Sequence, residues 1–160
     1  MTAPLTDLDV AAVVRDISAR IDEVTDRAPW SRLSREDRVD HLPPLLTALI
    51  TPLTTDQVGA NERLLEEAYT HGTHRREQQM SEEILLDEYY ILRDQAYRAL
   101  RTGRSMETAI ALTYRLDPAI TEATVASLLG FHGAGRDRIP AARPLPATTL
   151  GVATREAEAR

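Results

Sequence analysis

The sequence predicts an all-α fold: a single helical bundle of five or six helices with a flexible C-terminal tail. Three observations carry that prediction. Apolar residues recur at intervals of three and four, the period of a helix with one buried face. β-Branched residues do not gather in the alternating runs that a half-buried strand requires. Glycine and proline are few, seven and nine in 160 residues, and they read as punctuation between helices. A globin-like arrangement is one of the topologies open to such a pattern.

Thr6 or Asp7 is placed to cap the first helix, along which Val10, Val14, Ile17, Ile21 and Val24 form one apolar stripe. Arg15, Asp16, Arg20, Asp22 and Glu23 lie outside the stripe, and the helix should stop before Pro29. Ser34 with Glu36 and Asp37 behind it reads as a second helix start, its acids placed where the macrodipole favours them. Pro43 and Pro44 would each remove a backbone donor from a continuous helix. A short helix should therefore end near His41 and another begin with the prolines in its first turn, with Leu42, Leu45, Leu46 and Leu49 facing the core.

A long helix is expected from about Thr55 to Met80. Ser81, followed by Glu82 and Glu83, caps the next one, which should end at Gly103. Ser105 opens a last helix in which Pro118 either kinks the rod or marks a restart with Asp117 as cap. From Gly130 onward, glycines and prolines among arginines and alanines suggest a linker or mobile tail. The chain thus divides into a helical body over 1–132 and a tail over 133–160.

Composition narrows the function classes. Hydrophobic side chains make up 42% and charged ones 28%, enough for one compact domain with its own core. Cysteine is absent, which excludes disulfides, thiolate metal sites, iron–sulfur clusters and cysteine nucleophiles. Net charge is −6 and every basic residue is arginine, dispersed among acids; nucleic-acid binding, which needs a concentrated basic face, is not expected. No apolar run is long enough for a membrane span and no basic-then-apolar leader follows Met1, so neither a membrane association nor a signal peptide is expected, and a cytoplasmic location is. The chain has no nucleophile elbow and no glycine-rich nucleotide segment, and it is not expected to be an enzyme.

The informative segment is the long helix in which Leu64, Ala68, His71, Arg75 and Gln78 follow one another at four, three, four and three. Its apolar seam turns polar halfway along. On the next helix Glu88 sits between Ile84 and Leu85 on one side and Ile91 and Leu92 on the other, at or beside the buried face. A buried carboxylate without a partner costs several kcal/mol, on the order expected for an orphaned charge. Arg75 and His71 are the obvious partners, and Asp40 with His41 could join from the second helix. Two readings of that cluster follow: a satisfied polar network that fixes helix register, or the lining of a ligand pocket or two-state switch, with histidines that titrate near neutrality.

Sharper chemistry is less well supported by the residues. A carboxylate-bridged di-iron bundle wants a Glu-x-x-His step on each of two helices, whereas this chain offers Glu67 to His71 at four and no second step. His71 or His74 could serve as a proximal haem ligand, yet Arg75, Arg76 and Glu77 crowd the same helix and one phenylalanine is available to wall a haem. No metal ligand set and no cofactor are expected. An iron- or haem-binding helical protein with a redox or gas-sensing role stands as the alternative to a regulatory module.

Three segments, DHLPPLL at 40–46, HGTHRREQ at 71–78 and DEYYILR at 87–93, resemble landmark segments of the RsbRD-type amino-terminal domain, in the same order. The likeness rests on Asp40, His41, Leu42 and Pro43; on His71, Gly72 and Arg75; and on Glu88, Tyr89, Leu92 and Arg93. It spans Val10 to His132. It implies a helical, non-catalytic sensory or regulatory domain of the kind found ahead of histidine kinases and in stress-response regulators that act as RsbT co-antagonists. It further implies a homodimer, a regulatory protein or kinase output domain as partner, no prosthetic group, and a place for Arg93 beside Asp40, His41, His71, Arg75 and Glu88.

Overall fold

A computed structural model describes residues 8–39, 41–55 and 59–146. Among them six α-helices follow one another: α1 (Val10–Thr25), α2 (Arg35–Val39), α3 (Leu42–Thr54), α4 (Ala60–Glu77), α5 (Glu82–Arg101) and α6 (Met106–Phe131), with short 3₁₀ turns at Trp30–Arg32 and Arg136–Arg138. The described residues contain no strand, and the fold is an all-α bundle. No helix among them is long and apolar enough to cross a membrane.

Local chemistry accounts for most boundaries. Thr6 and Asp7, expected as caps, lie outside the described residues, and the cap of α1 is Asp9, whose carboxylate accepts from the Ala12 N–H at 3.0 Å. Ser34, Ser81 and Ser105 cap as expected, accepting from the N–H groups of Asp37, Ile84 and Thr108. Pro43 and Pro44 occupy the first turn of α3, where the missing N–H groups have no intrahelical partner to lose.

Two expectations are corrected. The long helix does not begin at Thr55: that residue is extended and ends α3, and α4 begins at Ala60 behind Gly59, whose φ of +93° is open to glycine. Nor does Asp117 act as a cap. α6 runs through Pro118 as one helix, and the Asp117 carboxylate instead accepts from the Tyr97 hydroxyl and faces Arg93 at 3.6 Å.

The core takes in residues the sequence marks, Val14, Ile17 and Ile21 of α1, Leu42, Leu45, Leu46 and Leu49 of α3, Leu64 and Ala68 of α4 and Leu85 and Leu92 of α5, and it adds Leu53 of α3, Leu100 of α5 and Leu112, Leu116 and Ile120 of α6. α4 and α6 are the most extensively packed pair, and glycine explains how. A Cβ on Gly72 would collide with the backbone carbonyl of Ser127, and a Cβ on Gly130 with that of Tyr69. The two rods cross where neither has a side chain.

The last helix, α6, ends at Phe131. Residues 134–146, expected as part of a linker or tail, lie along α4. The Tyr69 hydroxyl donates to the Ala134 carbonyl, Arg136 pairs with Glu66 and sits over the Tyr69 ring, and the Asn61 amide donates to the Arg143 carbonyl at 2.8 Å. Ile139, Ala142 and Leu145 pack against the core.

Candidate functional site: an ionic cluster between α4 and α5

α4 and α5 are consecutive, yet their backbones do not approach as closely as those of α4 and α6 or α5 and α6. Long side chains bridge the gap. His71 and Arg75, one turn apart on α4, turn inward beside Gly72, and Glu88 turns inward from the second turn of α5 between Leu85 and Leu92. All three are buried, at 2%, 1% and 2% exposure.

The network closes on itself. Arg75 donates from Nε to one Glu88 oxygen at 2.9 Å and from Nη2 to the other at 2.5 Å. Its Nη1 reaches the Asp37 carbonyl at 3.0 Å and the Gln78 Oε1 at 2.6 Å, and its Nη2 also reaches the Arg38 carbonyl at 3.1 Å. A guanidinium has five N–H donors, and each has an acceptor here. Arg75 thereby ties the end of α2 to α4 and α5, and the two bonds to Glu88 form the planar fork that arginine makes with carboxylates. The Nε2 atom of His71 lies 3.1 Å from Glu88 Oε2.

Electrostatics follow from this geometry. Burial alone would raise the Glu88 carboxyl, but the charge of His71 and the hydrogen bonds from Arg75 and His71 outweigh it and hold the group well below the usual carboxylate range. The His41 ring lies at the start of α3, 4.9 Å from the His71 ring and 5.3 Å from that of His74. Burial first, then the charges of His71 and Arg75, lowers its pKa to about 3. Burial likewise raises the Tyr89 phenol above its ordinary range; its ring stands edge-on to His71 at 5.9 Å. Two ring nitrogens in the cluster, His71 Nδ1 and His41 Nε2, are buried without a hydrogen-bond partner.

Of the six residues the sequence marks, His71, Arg75 and Glu88 form the cluster and His41 flanks it. Asp40 lies outside the described residues. Arg93 does not join: it is partly exposed and turns to α6, donating to Thr121 Oγ1 at 3.4 Å and facing Asp117. The reason is angular, since Arg93 sits one residue, about 100°, past the buried Leu92.

Two further buried arginines escaped the sequence reading. Arg38 of α2 faces Asp22 of α1 and Asp26 just past its end, at 3.4 and 3.6 Å. Arg115 of α6 donates to the Pro52 carbonyl of α3 at 2.9 Å. The signal for Arg115 was present, because it falls on the stripe of Leu112, Leu116 and Ala119 just as Arg75 falls on the stripe of α4. Among the described residues, no group of three or more histidine, aspartate or glutamate side chains is arranged to hold a metal ion. A comparison with known proteins returns no matching family model, no matching curated protein and no matching solved structure.

Proposed function

We propose that this chain is a non-catalytic sensory or regulatory module that works through protein association, pairing with itself and engaging a regulatory protein or output domain. The observation that carries this reading is the closure of the Arg75–Glu88–His71 network. A general acid or base needs a carboxyl or imidazole that reaches solvent or substrate with its pKa tuned toward neutrality. Glu88 has the opposite properties: it is buried, doubly engaged by arginine and held ionised. Such a network specifies how two helices sit on each other, and a network with few alternative pairings is suited to having two discrete states.

The likeness to RsbRD-type domains supports the same reading: of the residues that carry it, His71, Arg75 and Glu88 form the ionic cluster and Gly72 and Leu92 belong to the helix crossing and the adjoining core, whereas Arg93 turns to α6. An iron or haem protein would need His71 or His74 to offer a nitrogen to a metal; His71 Nε2 lies against Glu88 while its Nδ1 has no hydrogen-bond partner, so measurement decides between the two readings. An absorbance scan with metal analysis on the purified full-length chain tests the choice. We expect neither a Soret band nor stoichiometric iron, and either one overturns the regulatory reading.

A further inference from the structure

The segment that follows α6 is built to lie extended. Residues 139–146 read IPAARPLP, and each proline fixes its own φ and holds the residue before it extended, which restricts Ile139, Pro140, Arg143, Pro144, Leu145 and Pro146 before any contact is made. Ile139 shows the result, at φ −61° and ψ 124°. Ile139, Ala142 and Leu145 recur at every third residue, the period of polyproline II, and all three pack against the core. Pro140, Ala141, Arg143 and Pro144 between them are exposed.

The hold on this segment differs in kind from the hold on the helices. Among the described residues no backbone–backbone hydrogen bond joins 139–146 to an α-helix. Instead the Asn61 amide of α4 donates to the Arg143 carbonyl at 2.8 Å, a grip suited to an extended strand whose carbonyls have no internal partner. The packing is incomplete: a cavity of about 220 Å³ remains between residues 142–145 and Pro52, Gly59, Asn61 and Arg115, where a finished core leaves few voids larger than a water. Charge favours the same placement. Arg136, Arg138 and Arg143 stand against one acid, Asp137, in the segment, while Glu66 of α4 pairs with Arg136 and Glu62 borders the cavity beside Arg143.

We propose that the α4 face under residues 139–146 is a docking site for an extended, basic, proline-rich peptide, that this segment is its occupant at rest, and that a segment of the same chemistry on a partner protein displaces it. Exchange costs little ordering entropy, because prolines hold both competitors extended before they dock. Release of the chain's own segment leaves the bundle folded: it breaks one described hydrogen bond to α4 and uncovers three half-buried side chains. The proposal rests on the association reading above and names the chemistry of the partner segment and the surface it takes.

The test is fluorescence anisotropy of a labelled synthetic peptide of residues 136–146, titrated with the full chain. Wild type should bind it weakly, because its own segment competes at a high effective concentration. A full-chain variant with Ile139→Ser and Leu145→Ser should leave the site open and bind at least about tenfold more tightly, with an unchanged helical circular-dichroism signal. Should that variant lose helix, Pro140→Gly with Pro144→Gly loosens the segment through its backbone alone, both side chains being exposed, and the same direction is expected. Adding Asn61→Ala should cut binding several-fold. A peptide of the same composition, its apolar residues moved out of the three-residue period, should not bind. No binding to the opened variants overturns the docking site and leaves the regulatory reading to the absorbance and metal measurements. Equal binding to wild type and variants, or binding of the shuffled peptide, overturns it as well, since charge alone then holds the probe.

Discussion

His71 and Gly72 are neighbours on α4 and serve opposite partners: the His71 imidazole meets Glu88 of α5, while the Gly72 backbone meets the Ser127 carbonyl of α6. One turn of helix is thus fixed from two sides by unlike means. The glycine sets how close α6 can come, and the ionisable groups fill the wider space toward α5. Neither contact substitutes for the other.

The first consequence concerns Arg75 and Glu88. Each single change, Arg75→Met or Glu88→Gln, leaves the other partner buried without its counter-charge, and each should destabilise by about 3–5 kcal/mol in urea unfolding. The double variant should lose clearly less than the sum, because removing both ions removes the orphan. Additive losses would mean that the two residues do not interact.

Acid should act through His41 before it acts through Glu88. The folded pKa of His41 is lowered to about 3, so the unfolded chain, titrating near 6.5, binds a proton that the folded chain refuses. Stability from this group is present above pH 6.5 and is lost as pH falls, with a slope of at most about 1.4 kcal/mol per pH unit. Glu88 is also lowered, but its contribution is complete above the ordinary carboxylate range and fades only below it. Urea midpoints at pH 7.5 and 5.5 should therefore differ for wild type, and His41→Gln should shrink the difference.

The residues explain what a sequence can and cannot disclose here. Arg75 and Glu88 were legible because a charged side chain on an apolar stripe must find a partner, and the helical period shows the stripe. The same rule covers Arg115, whose stripe is equally plain. Arg93 misled because a motif places residues in order without stating their angle. The acceptors on Asp37 and Arg38 were not legible, since they are backbone carbonyls and any residue supplies one. Gly59 stops α4 from extending back to Thr55 through a backbone angle, which leaves no trace in hydrophobic periodicity.

The α4–α6 crossing is the least legible feature, because Gly72 and Gly130 are far apart in sequence, and it makes a sharp prediction. Gly72→Ala or Gly130→Ala should destabilise by about 3 kcal/mol or more, since the added methyl meets backbone that can move only by separating two helices. Gly103→Ala serves as the comparison. Its φ is +70° but open space surrounds it, so only the backbone term of about 1 kcal/mol applies. Equal losses at Gly72 and Gly103 in urea titrations would show that the crossing is looser than described.

α4 and α6 end in the same way with different residues, and the difference predicts a stabilising change. In α6 the Ala134 N–H bonds the Leu129 carbonyl and the Gly133 N–H bonds the Gly130 carbonyl, with Gly133 at φ +67°. In α4 the Met80 N–H bonds the Arg75 carbonyl and the Gln79 N–H bonds the Arg76 carbonyl, with Gln79 at φ +58°. Both are left-handed terminators, but Gln79 holds with a Cβ a conformation that glycine adopts freely. Its side chain is exposed, and Arg32 contacts only its carbonyl, so Gln79→Gly keeps every described bond. The relief of left-handed strain exceeds the added entropy of the unfolded chain, and the variant should gain about 0.5–1 kcal/mol. An unchanged or lower urea midpoint would show that Gln79 is not strained where α4 turns toward α5.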